Sequence, residues 1–289
     1  MKISIITPTF NRGNLIERAI QSILAQKHSD WEMIIIDDAS TDSTASNVQK
    51  YLVDKRIKYI RCVQNSGVNK ARNFGLKSMS DDSEVVTFLD SDDEFLPNAL
   101  TDMVSEMFNH PKINYFRFGV KYTDGKLVSN PVHNFVEANF AYYIQNFFTI
   151  GEWVCTFRKK IIKEGFEYSN EVNAFESIAY IDLSQKETAF FSDKIVRIYH
   201  TGHDSISNEK FSKDSKLNAI NGYELIISKF GENIRKVSKV NFSKLNYLLG
   251  YLLISNEEKR RGFTYTLSAF KNNPCDLRFF RNVLNIIFK

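Results

Sequence analysis

The chain has 289 residues, 43% hydrophobic and 25% charged, with a formal net charge of +4. That length suits one large domain or one domain with an appendage, and the composition excludes a disordered or repetitive chain. Three cysteines, Cys62, Cys155 and Cys275, are odd in number and show no CxxC spacing, so neither a disulfide framework nor a cysteine zinc site is expected. A reducing cytoplasm fits that usage. The opening MKISIITPTF carries no signal-peptide pattern, and the later apolar stretch Leu245–Ile254 is too short to span a bilayer. The charge is uneven. Residues 205–289 hold 15 Lys/Arg against 7 Asp/Glu, a balance of +8, whereas the rest of the chain stands at −4. Such a basic tail points to an anionic surface as partner.

The first hundred residues alternate between short apolar runs and helical periodicity. Lys2–Thr7 predicts a strand, Leu15–Gln26 a helix, Trp31–Ile36 a strand, Ser43–Tyr51 a helix, Ile57–Cys62 a strand, Asn69–Ser78 a helix and Glu84–Leu89 a strand. This alternation implies βαβ units and an α/β fold with a mostly parallel sheet covered by helices on both faces. Beyond it, a helix is expected over Asn98–His110, strands over Tyr115–Val120 and from Val128 onward, and helices near Arg158–Glu164 and Glu176–Lys186. The tail past Ser205 reads as helical and basic, ending in an amphipathic stretch over Leu277–Phe288.

Each early strand ends in polar residues, Thr7-Pro8-Thr9, Asp37-Asp38, Gln64-Asn65 and Asp90-Ser91-Asp92, which a parallel sheet would gather on one rim, where ligands of such sheets bind. The DSDD of VVTFLDSDDEFLP is the densest. Carboxylates so crowded are costly without a cation or strong donors, and all-oxygen ligation suits Mg²⁺ or Mn²⁺. Taken alone, the motif could equally be an acidic turn that stops a strand. The turn after the first strand, TPTFNRGN, has no GxGxxG, and no GxxxxGK[ST] occurs, which excludes a glycine cradle for pyrophosphate.

The series IITPTFNR (Ile5–Arg12), IIIDDASTDST (Ile34–Thr44), NSGVNKARNFGL (Asn65–Leu76) and FLDSDDEFLP (Phe88–Pro97) resembles the GT-A glycosyltransferases of family 2, of the kind that build bacterial polysaccharide and lipopolysaccharide. The resemblance implies a metal-dependent, inverting transfer of a hexose or N-acetylhexosamine from a UDP-sugar donor to a hydroxyl of a glycan or lipid-linked saccharide acceptor. It also implies a GT-A domain over 1–205, with a nucleotide-binding half over 1–100 and an acceptor-binding half over 101–205, followed by a helical basic appendage over 206–289. Carried onto this sequence, it sets Pro8 and Thr9 beside the base, and Asp38 on the uracil imide with Asp37 in support. Arg72 is set near the nucleotide, Asp90 and Ser91 at the donor, and Asp92 on a Mn²⁺ or Mg²⁺ ion bridging the phosphates. The bland reading of Asp37 and Asp38 is a helix-capping region, and of Arg72 a solvated helix arginine.

An inverting transfer also needs a general base. The resemblance points to Glu176 in NAFESIAYIDLS, although Ser177 stands where the family often has a second acid; Glu152 and Asp182 are rivals. In VRIYHTGHDSIS, the segment resembling the one that closes over the donor, His200 is the expected metal ligand and His203 the alternative. The terminal stretch would present Leu277, Phe280, Leu284 and Ile287 on one face. It is read either as a core-packing helix or as one lying on an anionic membrane, giving a cytoplasmic protein with peripheral contact at the inner face of the cytoplasmic membrane. Nucleic acid is not an expected partner. The competing functions are a non-catalytic nucleotide-sugar-binding scaffold and a nucleotidyltransferase.

Overall fold

The computed structural model describes residues 1–201 and 212–288. Two compact units emerge. One comprises Met1–Asn139, Thr149–Ala179 and the segment from Leu183; the other comprises Phe140–Phe148, Tyr180–Asp182 and the described residues from 212 onward.

The first unit opens with β1 (Ile3–Thr9), α1 (Ile16–Leu24), β2 (Trp31–Asp37), α2 (Thr44–Gln49), β3 (Ile57–Arg61), α3 (Val68–Lys77) and β4 (Val85–Phe88). These pair in parallel, as the alternation predicted, in the order β3-β2-β1-β4. Both β1 and β2 are buried along their whole length, which is why they read as continuous apolar runs rather than alternating ones. On one face Ile3, Ile5, Met33 and Ile35 join Ile16, Ala19, Ile20 and Ile23 of α1; on the other Ile34 and Ile36 meet Ala71 of α3. The α3 contact is close: a Cβ on Gly75 would fall 2.4 Å from Ile6 Cγ2.

Along the chain follow β5 (Glu94–Phe95), α4 (Ala99–Asn109), β6 (Tyr115–Tyr122), β7 (Glu137–Ala138), α5 (Phe140–Gln145), β8 (Val154–Arg158), α6 (Lys159–Lys163), α7 (Ser177–Ser184) and β9 (Ala189–Tyr199), whose strands extend the sheet. Here β8 runs antiparallel between β4 and β6, and β9 pairs parallel with β6 and antiparallel with β5 and β7. The α/β class stands, with a parallel half and a mixed half. No strand starts at Val128. Instead Lys121 bridges Leu127 and Ser129 bridges Gly151, and the chain enters a short 3₁₀ turn at Pro131–His133, capped by Asn130 Oδ1 accepting the Val132 N–H at 3.2 Å. Pro131 has no N–H to continue a ladder.

The second unit contains α5 together with α8 (Lys213–Val237), α9 (Lys239–Ser255), α10 (Lys259–Asn272) and α11 (Arg278–Phe288). Ile220 packs with Leu249, Leu252 and Leu253, and α9 meets α10 so closely that a Cβ on Gly250 would lie 2.9 Å from the Gly262 carbonyl. Among the described residues no helix is long and apolar enough to cross a membrane.

Replacing Gly75 with Val would force α3 off β1. A loss of about 1–3 kcal/mol is expected in denaturant unfolding, and an unchanged midpoint would refute the tight α3/β1 contact.

Candidate active site

Because β1, β2 and β4 are parallel and in register, with Thr9 opposite Asp37 and Ile6 opposite Phe88, their carboxyl ends deliver Thr9, Asp37, Asp38 and Asp90 to one rim. The Asp38 N–H donates to the Thr9 carbonyl at 2.9 Å, tying two of these ends together. Pro8 and Thr9 are buried, and the Thr9 hydroxyl has no hydrogen-bond partner among the described residues.

Asp37 is wholly inside. Its Oδ1 accepts the Ser40 N–H at 2.7 Å and its Oδ2 accepts the Tyr59 hydroxyl, whose pKa is raised by burial and then by this carboxylate. Asp38 accepts the Ser66 N–H at 2.9 Å on Oδ1 and the Gly67 N–H at 2.7 Å on Oδ2, so it clamps the turn that starts α3. Gly67 sits at φ 93°, and a Cβ there would approach Asn173 Oδ1 to 2.6 Å, so the turn requires glycine for both conformation and space. The two aspartates therefore shape backbone at the rim, whatever else they contact.

The polar residues of NKARN face the loop before α7. Asn69 Nδ2 donates to the carbonyls of Ser169, Val172 and Ala174, and Asn73 exchanges hydrogen bonds with the Tyr168 backbone, both at 2.8 Å. Ala174 (φ 56°) and Phe175 (φ 59°) are both left-handed, a costly conformation for non-glycine residues, and the next residue is Glu176. The loop so held brings Glu176 to Arg72. Arg72 Nη1 pairs with Glu176 Oε1, its Nη2 donates to Asp90 Oδ1 at 3.0 Å, and its guanidinium carbon lies 5.4 Å from the Tyr168 ring centroid. Three residues expected from three separate motifs thus meet around one guanidinium.

A second arginine completes the arrangement. Buried Arg197, on β9, donates from Nη2 to Glu152 Oε1 at 2.8 Å and from Nη1 to Asp90 Oδ2 at 3.4 Å, with Nε 3.4 Å from Asp93 Oδ2. Burial opposes the charge on Arg197, yet Glu152, Asp93 and Asp90 raise its pKa; burial likewise opposes the charge on Asp90, and Arg72 and Arg197 overcome it to lower that pKa. Asp93 differs. Burial pushes its carboxyl up to about 7 against the pull of Arg197, with Asp90 and Asp92 adding to the rise.

Chain continuity from β4 and the β5/β9 pairing, Glu94 opposite Ile198 and Phe95 opposite Arg197, set the rest. The His200 N–H donates to Asp93 Oδ1 at 3.0 Å, and His200 Nε2 lies 3.1 Å from Glu94 Oε1. Ser91 is buried. The Asp92 carbonyl accepts from Arg18, and its Oδ2 is 3.9 Å from Arg12 Nε, with the side chain 19% exposed. Among the described residues no three His, Cys, Asp or Glu side chains are grouped to hold a metal ion. His203 lies outside the described residues.

The sequence model of the family described as glycosyl transferase family 2 matches residues 4–166, more than half the chain. This chain belongs to glycosyl transferase family 2. It is 34% identical over 203 residues to the GalNAc(5)-diNAcBac-PP-undecaprenol beta-1,3-glucosyltransferase of Campylobacter jejuni, covering 68% of this chain and 64% of that protein. It is 45% identical over 102 residues to the putative colanic acid biosynthesis glycosyl transferase WcaA of Escherichia coli, covering 34% of this chain and 35% of that one. The chain spans less than two thirds of the length of these relatives. Among solved structures, S. aureus TarS in complex with UDP-GlcNAc aligns over 99% of this chain and 88% of its own, with a TM-score of 0.67 at 19% identity. The mannosyltransferase PcManGT from Pyrobaculum calidifontis, in complex with GDP-Man and Mn²⁺, aligns over 99% and 81%, with a TM-score of 0.58 at 14% identity. At such identities the likeness is one of fold, and it is the GT-A arrangement.

Membership in family 2 removes the nucleotidyltransferase alternative. The family match ends at residue 166, so Glu176, Arg197 and His200 lie outside it. Arg197, Asn69 and Asn73 were not singled out from sequence. The two asparagines stand four apart within the quoted NKARN, a helix-face spacing that signals a shared partner, whereas nothing local marks Arg197.

Replacing Arg197 by Met would leave buried Asp93 without its counter-charge, free Glu152, and leave Asp90 to Arg72 alone, and should cost about 3–5 kcal/mol in unfolding experiments. A loss below about 1 kcal/mol would refute the network. Because burial raises the folded-state pKa of Asp93, its protonated form stabilises the fold; that contribution is complete below the ordinary carboxylate range and fades as pH rises toward about 7. Wild type should therefore lose stability relative to Asp93→Asn between about pH 4 and about pH 7, read as a diverging pair of denaturant midpoints.

Proposed function

We propose that this chain is an inverting glycosyltransferase that moves a hexose or N-acetylhexosamine from a UDP-sugar to a hydroxyl of a glycan or lipid-linked saccharide. The observation that carries the reading is Arg72 shared between Glu176 and Asp90 at the carboxyl rim of a family 2 sheet. The relatives support the substrate class by their names. One is described as a glucosyltransferase acting on a diNAcBac-PP-undecaprenol saccharide, another as a poly(ribitol-phosphate) beta-N-acetylglucosaminyltransferase, and TarS is solved with UDP-GlcNAc.

In this reading Pro8, Thr9 and Asp38, supported by Asp37, border the uracil, while Asp90 and Ser91 meet the ribose and Arg72 the diphosphate. Glu176 takes the proton of the acceptor hydroxyl as that oxygen bonds to the anomeric carbon. The bond from that carbon to the diphosphate oxygen breaks with its electron pair, and UDP leaves. A diphosphate arriving at Arg72 competes with Glu176 for the guanidinium and releases the carboxylate toward the acceptor.

Asp92, a partly exposed carboxylate, offers an oxygen of the kind a hard divalent ion takes. Mn²⁺ or Mg²⁺ would take Asp92 from the protein, with His200 joining if its pairing with Glu94 breaks. Such an ion would supply positive charge to the departing diphosphate. Residues 1–205 would form the transfer domain, with donor half 1–100 and acceptor half 101–205, and 206–289 the appendage. The unpaired state of Cys62, Cys155 and Cys275 suits a reducing cytoplasm, where we place the reaction.

Glu176→Gln should lower transfer by about 10²–10⁴-fold while UDP affinity, measured by calorimetry, stays within a few fold. Normal turnover of that variant would assign the base elsewhere. Transfer by the wild type should require added Mn²⁺ or Mg²⁺. Activity indifferent both to chelator and to Asp92→Asn would remove the metal from the reading.

A further inference from the structure

The terminal helix α11 turns only part of its apolar surface inward. Phe279 packs at a tilt against Phe270 of α10, with ring centroids 4.6 Å apart, and buried Asn282 donates to the Tyr247 carbonyl at 3.2 Å and to Thr266 Oγ1 at 3.1 Å. Those contacts fix the rotation of the helix. At 3.6 residues per turn, Leu277, Phe280, Arg281 and Leu284 then share the opposite side, and the three apolar residues are 76%, 54% and 52% exposed. A side chain that merely fills the core of this unit would not stand so open.

The charge around this stripe is mainly basic, although Glu224 and Glu258 pair with Arg261. Residues 259–289 hold seven Lys/Arg and a single acidic residue, Asp276, which is taken by Arg278 at 2.5 Å. Lys259, Arg260, Lys271 and Arg281 are exposed, as are Arg261 and Arg278, which pair with acids, and Arg281 lies over the Tyr251 ring at 5.2 Å. Two copies meeting through this surface would bring like charges together. An anionic sheet of headgroups over hydrocarbon satisfies both features at once, because the basic side chains meet phosphate while Leu277, Phe280 and Leu284 leave water.

We propose that the outer face of α11 is a docking surface for an anionic phospholipid bilayer, with Leu277, Phe280 and Leu284 entering the headgroup boundary and Arg281 and its basic neighbours contacting lipid phosphate. The inference is independent of the transfer chemistry.

The test is co-sedimentation of the full chain with vesicles of phosphatidylcholine alone and of phosphatidylcholine mixed with phosphatidylglycerol. The protein should pellet with the mixed vesicles and not with the neutral ones, less so at high salt. The variant Leu277→Ser/Phe280→Ser/Leu284→Ser should partition at least about tenfold more weakly, with an unchanged circular dichroism spectrum and melting temperature, since these side chains leave the packed face intact. Arg281→Glu should weaken binding by itself. The proposal is overturned if the wild type stays in solution with the mixed vesicles, or if the triple variant pellets as the wild type does. It is equally overturned if light scattering finds a dimer that the triple variant dissociates, which would assign the stripe to a second copy. UDP affinity should be the same in all variants. A wild type that binds these vesicles but not UDP would refute the donor reading and leave the docking surface standing.

Discussion

Two buried arginines hold the carboxyl rim of the sheet together. Arg72 joins Glu176 to Asp90, and Arg197 joins Asp90 to Glu152 and Asp93, so Asp90 is shared between them. Carboxylates gathered this closely repel and lose hydration, and an arginine in the interior loses hydration as well. Neither set could sit there without the other. Because each guanidinium has donors in a fixed fork, the pairings also dictate directions, which a point charge on a lysine would not do. The segments that carry these groups, the end of β4, α3, the residues before α7 and the end of β9, must therefore close on the rim together.

Much of the surrounding backbone serves that closure. Asp38 spends both carboxylate oxygens on the turn before α3, and Asn69 and Asn73 hold the loop from Tyr168 to Ala174 against the same helix. Two successive left-handed residues, Ala174 and Phe175, are tolerated at the end of that loop, directly before Glu176. In the proposed reaction this rigidity has a purpose. In that reading, a base held by an arginine that the substrate's diphosphate competes for would be released only when the donor is present.

The parallel half of the fold was legible because burial on both faces turns each strand into an apolar run and each crossover into a helix with regular periodicity. The mixed half was not. Its strands, β8 and β9, depend on neighbours distant in the chain, and the strand expected from Val128 gives way to the Asn130-capped turn at Pro131. Within the site, Arg72, Asp90 and Glu176 were each marked by a motif, and the structure brings them together. His200 follows β9 as expected but faces Glu94, and Arg197 carried no local mark, since a strand arginine looks the same whether it is solvated or buried among acids.

The amphipathic ending shows the same division. Its sequence predicted a broad apolar helix and left open whether it packs on the core or on a membrane; Asn282 and Phe279 turn one side inward, and Leu277, Phe280 and Leu284 stay outside. By itself, then, the sequence determined the βαβ order, the acidic strand end and the family, all of which rest on local periodicity and short contiguous motifs. Only the tertiary structure decided which carboxylate meets which arginine, that Asp38 clamps a turn, and which face of the last helix is open. Those outcomes depend on groups up to about a hundred residues apart, Arg72 and Glu176 among them, whose meeting no local pattern encodes.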